Sequence, residues 1–430
     1  VFDPEVGFTS DVIKDHQRFV GRIDLIRSCM QGLNSPMSLI AIYGRRGVGK
    51  SSLLRQVQQM ALGDYTLAKR AGLAAEIPAK PRTYLTVFYT CDSLIKGGED
   101  LIKRLCNDQD DEDGLLRLLP DDGKEIVEFS RTKEVSLGAD LKVVNWGAKG
   151  IESNKYVKVV PDDTVQTFRN FISSIVSNQV KGRMKRDGLL ILLDEFDVVE
   201  NKHGLGSLIK SLSSKDVKFA ICGIGQDLHG LVEDHGSVER LLEQGAVHVR
   251  PMPQAEAVAV LDRAEELFEG SLSFDGEIKE DISSISQGYP YFIQMIGRSC
   301  ALKAAQMGLN KVNKYIYQSV LSDIKSGLAF PALESSYKKA VGDSSDRQLL
   351  LHILAEQPEE NTLFNEDVGR VFLKQARRDA GEFDIEYVDQ LLPRLLDRKF
   401  GPVLRSVPEG RGVYEFINPV FRLYVTLRNI

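Results

Sequence analysis

Five short apolar runs are spaced along the first 250 residues: Leu39-Ile40-Ala41-Ile42-Tyr43, Tyr84-Leu85-Thr86-Val87-Phe88-Tyr89, Leu189-Leu190-Ile191-Leu192-Leu193, Phe219-Ala220-Ile221-Cys222-Gly223 and Val247-His248-Val249. None alternates between apolar and polar positions. Continuous runs rich in branched and aromatic residues predict strands covered on both faces. Between them the apolar spacing turns helical, as at Leu53, Leu54, Val57, Met60 and Ala61. Strands alternating with amphipathic helices predict an α/β layer built on a parallel sheet.

Three further stretches complete the organisation. An insertion over about 106–163 separates the second and third strands. It carries an acidic run, Asp108, Asp110, Asp111, Glu112 and Asp113, that reads as a solvated loop. Alternation at Val135, Leu137, Ala139, Leu141 and Val143 then predicts a β-hairpin, with Trp146 packing in it. Past Pro251 the pattern becomes helical, with starts near Gln254, Phe274, Pro290 and Asn313 and no strand expected until the end. From about Ser344 three helices, near 349–354, 366–376 and 385–398, precede two strands at 403–406 and 413–417. They flank the turn Pro408-Glu409-Gly410-Arg411-Gly412 and read as a winged helix. The expected domains are therefore a core over 1–250, a helical lid over 251–340 and a winged-helix domain over 341–430.

Composition adds exclusions. Hydrophobic residues at 43% and charged residues at 27% describe a globular chain, not a disordered one. No apolar run approaches the roughly 20 residues of a membrane span, and no leader pattern opens the sequence, so a cytoplasmic location and no membrane partner are expected. The chain begins at Val1, so an N-terminal segment can be missing. Five cysteines, at 29, 91, 106, 222 and 300, form no C-x-x-C pair and read as reduced, buried thiols. His229 and His235 stand six apart, the wrong interval for a helical metal pair. The formal charge of -6 argues against indiscriminate polyanion binding.

The chemistry concentrates in two places. Gly44-Arg45-Arg46-Gly47-Val48-Gly49-Lys50-Ser51 fits G-x-x-x-x-G-K-[ST] and sits between an apolar strand and a helix, where the motif's mechanism requires it. Glycines let backbone N–H groups turn onto phosphates at the helix N-terminus. Lys50 is expected to reach the β- and γ-phosphates, Ser51 to ligand Mg²⁺, and Ser52 to complete the loop. Downstream, the third strand ends in Asp194-Glu195. Asp194 is the candidate metal carboxylate, and Glu195 the candidate that orients a water on the γ-phosphate. The expected cofactors are ATP or ADP with Mg²⁺, and the expected class is the P-loop NTPase with an additional strand and a catalytic glutamate.

Phe19-Val20-Gly21-Arg22, leading into a helix, resembles the adenine-contacting box of origin-recognition-type AAA+ ATPases and of the STAND signalling ATPases, with Asp24 matching the box only loosely. The resemblance covers the core, the helical stretch and the last domain. It implies that Val20, Gly21 and Arg22 meet the base and that Gln226, after the fourth strand, senses the γ-phosphate. His235-Gly236-Ser237-Val238-Glu239-Arg240 looks like the H-x-S-x-x-R stretch of bacterial relatives, and Arg240 stands where an AAA+ arginine finger would reach a neighbouring subunit. Gly288-Tyr289-Pro290 looks like the STAND G-x-P motif, whose proline lies against the nucleotide. An arginine expected near Tyr291 in the strict AAA+ pattern is missing, and Arg298 is a poor substitute.

The resemblance implies a slow, regulated ATPase switch of bacterial signalling or defence. The alternative is an AAA+ ATPase that loads on or remodels DNA through its winged helix. Charge favours self-association or a protein partner over DNA. Residues 344–430 carry 12 basic against 14 acidic side chains, and Asp384, Glu386 and Asp389 stand where a groove-reading helix would meet phosphates. Arg405 and Arg411 on the wing keep backbone contact open.

Overall fold

A computed structural model describes residues 2–107, 114–115, 118, 141–144, 156–159, 164–202, 204–225, 235–243, 245–356, 364–365, 388–406 and 413–429. The chain divides into two units. The core unit comprises 12–45 and 49–250; the C-terminal unit comprises 1–11, 46–48 and 251–430.

In the core unit α1 (Ile23–Asn34) and β1 (Leu39–Gly44) lead to α2 (Lys50–Leu62), a short α3 (Thr66–Arg70) and β2 (Tyr84–Thr90). Then come α4 (Gly98–Asn107), the hairpin strands β3 (Leu141–Val144) and β4 (Tyr156–Val159), and α5 (Thr164–Ile175). β5 (Gly188–Asp194), α6 (Leu205–Leu212), β6 (Val217–Ile224), α7 (His235–Leu242) and β7 (Ala246–His248) complete it. The main sheet runs β2-β5-β6-β1-β7 and every pairing in it is parallel. β6 is the additional strand, lying between the P-loop strand β1 and the carboxylate strand β5. All seven residues of β5 are buried, which is why its sequence never alternates. β3 and β4 pair antiparallel; of the alternating positions expected to form a hairpin only Leu141 and Val143 fall in β3, while Val135, Leu137 and Ala139, the acidic run and Trp146 lie outside the described residues.

A buried lysine fixes the base of this sheet. Lys218 at the start of β6 is 2% exposed, and its Nζ donates to the carbonyls of Gly32 (2.7 Å), Leu33 (3.0 Å) and Ser35 (2.5 Å) and to Ser38 Oγ (3.2 Å). Those carbonyls are orphaned where α1 ends, at the negative pole of its dipole. Tyr84 Oη donates to Leu33 as well, at 2.7 Å. Burial foremost, then the charge of Arg82, lowers the lysine pKa to about 7.

In the C-terminal unit α8 (Gln254–Leu267), β8 (Ser273–Phe274), α9 (Gly276–Ser286), α10 (Pro290–Gln306), β9 (Lys311–Val312), α11 (Lys314–Lys325) and α12 (Pro331–Val341) follow one another. The four expected helical starts are matched closely. The expectation of no strand is corrected by β8 and β9, which pair in parallel and are too short, at two residues each, to leave a periodic signal. α13 (Ser345–Ala355), β10 (Phe364–Asn365), α14 (Val388–Leu396), β11 (Leu404–Ser406), β12 (Val413–Phe416) and α15 (Pro419–Leu427) end the chain. β10, β12 and β11 form an antiparallel sheet in that order. The helix expected over 366–376 and the turn at 408–412 lie outside the described residues.

A polar network ties α12, α13 and α15 together. The Glu334 carboxylate accepts from Tyr424 Oη and from Arg428 Nε (2.9 Å) and Nη2 (3.1 Å). Tyr337 Oη and His352 Nε2 are 2.9 Å apart. Burial, and then the charge of Arg428, lowers the His352 pKa to about 4.

Candidate functional site

The loop after β1 is shaped by a close approach. Gly44 has φ +150°, and a Cβ there would stand 2.2 Å from the Val249 carbonyl oxygen. Only glycine lets β1 end against the strand edge at this point, where the Val249 N–H also donates to Tyr43 O at 2.8 Å. Gly49 caps α2 from the left-handed region, φ +94°. The first turn of α2 holds no acidic residue, so its N-terminal N–H groups and dipole are left to an anion.

Lys50 is 8% exposed, and its Nζ donates to Arg45 O at 2.8 Å, holding the ammonium back across the loop. Ser51 Oγ donates to Asp194 Oδ1 at 3.1 Å. The same carboxylate oxygen accepts the Glu195 N–H at 2.9 Å, and Asp194 itself is 6% exposed. The backbone of Asp194 is pinned through its carbonyl by the Cys91 N–H, 2.9 Å. Burial foremost, then the Asp194 carboxylate, holds the neighbouring Cys222 thiol well above its ordinary range. Glu195 is exposed and takes a left-handed conformation, φ +51°, which turns it out of the line of β5. A left-handed backbone at an exposed carboxylate that follows the strand-end aspartate is the kind of outlier that functional sites retain.

A hydroxyl and one carboxylate within hydrogen-bond reach make a hard oxygen pair suited to Mg²⁺, which takes few protein ligands and completes its shell with phosphate and water. Among the described residues no group of three or more His, Cys, Asp or Glu stands ready to hold a metal.

In the core unit, Gly21 (φ +65°) and Arg22 (φ +61°) form a left-handed turn into α1. Arg22 is 8% exposed, and its Nη1 donates to Arg250 O at 2.6 Å. Val20 is half-buried beside it. Ser52 Oγ accepts the Ile13 N–H at 3.0 Å, so its described bond is to the N-terminal segment. Arg240 is exposed on α7. Gln226 lies outside the described residues. In the C-terminal unit Pro290 is the first residue of α10, following Gly288, whose φ of +75° allows the Met252 N–H to reach its carbonyl at 2.7 Å. Arg46, Gly47 and Val48 at the loop apex group with that unit.

Three residues near the loop carry no motif and escape a reading of sequence. Asp197, three past Asp194, accepts the Ile224 N–H at 2.7 Å and so joins the end of β5 to the end of β6. His248 stacks on Tyr43 with centroids 4.8 Å apart and planes 1° from parallel. Its pKa is lowered by burial first, then by Arg250 and Arg45. Gln56 on α2 donates to the carbonyls of Ile13 and Lys14, both at 3.3 Å, fastening the segment that leads to Val20. Of the three, only Asp197 had a legible cue, its place in Asp194-Glu195-Phe196-Asp197.

A parallel sheet with the strand order above, a glycine-rich loop opening a helix, and a carboxylate at the end of the strand beyond the additional one define a P-loop NTPase core. No protein-family model matches the chain, and no curated protein matches it. Its structure is similar to the Walker-type ATPase PABY2304 of Pyrococcus abyssi, with 17% identity over 95% of this chain and 96% of that one and a TM-score of 0.45. It is also similar to Cdc6p from Pyrobaculum aerophilum, with 14% identity, 99% and 98% coverage and a TM-score of 0.44. A third is the Aeropyrum pernix ORC1 protein in complex with DNA, with 13% identity, 95% and 92% coverage and a TM-score of 0.43. Among the described residues no helix is long and apolar enough to cross a membrane.

Proposed function

We propose that the chain is an ATP-binding and hydrolysing switch of the STAND/AAA+ type, with the last domain a winged helix that answers to the nucleotide state. The observation that carries the reading is the 3.1 Å bond from Ser51 to Asp194, which puts the loop hydroxyl and the strand-end carboxylate where one Mg²⁺ would take both. When bound, that ion would neutralise charge developing on the β- and γ-phosphates. Lys50, released from Arg45, reaches the same phosphates, and the N–H groups of 44–51 and α2 cradle them. Glu195, turned outward at the strand end, holds the attacking water by its carboxylate. Val20, Gly21 and Arg22 line the base. Arg240, exposed and just before β7, serves as a finger only when a second copy brings its own site alongside.

The test is mass by light scattering together with hydrolysis rate, measured with ADP, with a non-hydrolysable ATP analogue and with duplex DNA. The expected result is slow turnover, retained ADP and indifference to DNA. Assembly on the analogue with hydrolysis rising on DNA, and that rise lost steeply in salt, would instead establish a DNA-loading or DNA-remodelling ATPase. Absence of any hydrolysis would overturn both.

A further inference from the structure

The C-terminal unit buries an arginine that its described residues leave in part unsatisfied. Arg347 is the third residue of α13 and is 7% exposed. Its backbone N–H is taken by the capping Ser344 hydroxyl at 3.2 Å, but the side-chain Nε and Nη1 are both buried with no hydrogen-bond partner among the described residues. The guanidinium carbon lies 4.6 Å from the centroid of Phe400. Gly342, with φ +54°, makes the room: a Cβ there would meet Arg347 Nη2 at 2.6 Å.

The surroundings hold several cations. Burial first and the charge of Arg394 second lower the pKa of Arg347, against which Asp343 supplies the opposing charge. Lys399 Nζ lies 5.9 Å from the same Phe400 centroid, and the stem of Lys339 packs where a Cβ on Gly401 would stand. A helical side chain leans toward the N-terminus of its own helix, so Arg347 reaches back to the pole of α13 that already favours negative charge. Leaving charged donors buried and unpaired costs more than a neutral hydrogen bond returns, and crowding cations together adds to that cost. An anion between them reverses both terms.

We infer that Arg347 and Lys399, which both face Phe400, form with the nearby charge of Arg394 a binding site for a phosphate-class oxyanion in the C-terminal unit. A guanidinium presents rigid donors to such an anion, and more than one cation at the site suits a dianion better than a carboxylate. The site is separate from the phosphate loop and does not depend on the nucleotide reading.

The test uses the full chain carrying Lys50→Ala, so that the loop does not report, and follows thermal unfolding as inorganic phosphate is titrated at constant ionic strength. A saturable rise in Tm is expected, with the apparent affinity at least about tenfold weaker in Arg394→Gln and Lys399→Gln, whose side chains are exposed. Arg347→Gln should lose the response. The same variants are titrated with duplex DNA by fluorescence anisotropy. A response to the duplex but not to free phosphate, weakened by these substitutions, supports the site and assigns its anion to a phosphodiester. Wild-type response to neither ligand, or responses that the Arg394 and Lys399 variants leave unchanged, would overturn the inference.

Discussion

Replacing Gly44 by alanine tests the geometry of the loop more directly than removing a charged side chain. The new Cβ would stand 2.2 Å from Val249 O and 3.2 Å from Val249 C, and both are backbone atoms. A carbon–oxygen contact settles at about 3.3 Å, so the overlap is about 1 Å and no rotamer relieves it. β1 is a central strand and Val249 is 2% exposed, so the structure yields by parting β1 from β7 and stretching the bond from Val249 to Tyr43. Overpacking of this kind costs about 1–3 kcal/mol, the weakened hydrogen bond about 1 kcal/mol, and the glycine-favouring φ about 1 kcal/mol more. About 3–5 kcal/mol is thus to be shared between core stability and nucleotide affinity. Thermal unfolding with and without ADP, and titration with a fluorescent ADP analogue, separate the two. We expect Tm to fall by several degrees, at about 2–4 °C per kcal/mol for a unit this size, and ADP to bind at least about tenfold more weakly. A Gly44→Ala protein with unchanged Tm and unchanged affinity would refute the placement of β7 against the loop.

Lys50→Ala removes a charge-assisted contact worth about 1.5–3 kcal/mol, so nucleotide affinity should drop about tenfold to a hundredfold by calorimetry; normal affinity would remove the phosphate assignment. Glu195→Gln should keep ATP binding and lose hydrolysis by about a hundredfold or more in single-turnover assays, and undiminished turnover would hand the water to another group. His352 gives a pH dependence. The unfolded chain takes up its proton near pH 6.5 while the folded chain resists until about 4, so stability declines as pH falls through that window. The ceiling is about 3 kcal/mol. Unfolding curves of wild type and His352→Gln should diverge between pH 6.5 and 4, and parallel curves would mean another group titrates there.

What was legible in the sequence is what chemistry forces to be contiguous. The phosphate loop must be one stretch because neighbouring N–H groups converge on one ligand, and β5 announces its place by six residues, Gly188–Leu193, without a polar break before Asp194. The helices at Gln254, Pro290 and Asn313 were legible through their apolar spacing and their starting residues. Groups that meet only through the fold were not. Lys218 reads as an ordinary charged position at a strand start, and only the β6 register puts it under the end of α1. Arg347 precedes the helix expected near 349–354, and it packs on Phe400, more than fifty positions away. β8 and β9 were invisible because two residues have no period.

α1 is pinned at both ends. Its C-terminal carbonyls rest on Lys218, and at its N-terminus Arg22 grips the carbonyl of Arg250, the last residue of the core unit. Twelve residues of helix make a splint about 18 Å long with little slack. Arg22 holds its grip from a left-handed backbone that costs about 1–3 kcal/mol, so the latch is sprung rather than relaxed. Anything that turns Arg22 must therefore pull on the peptide through which the chain leaves the core.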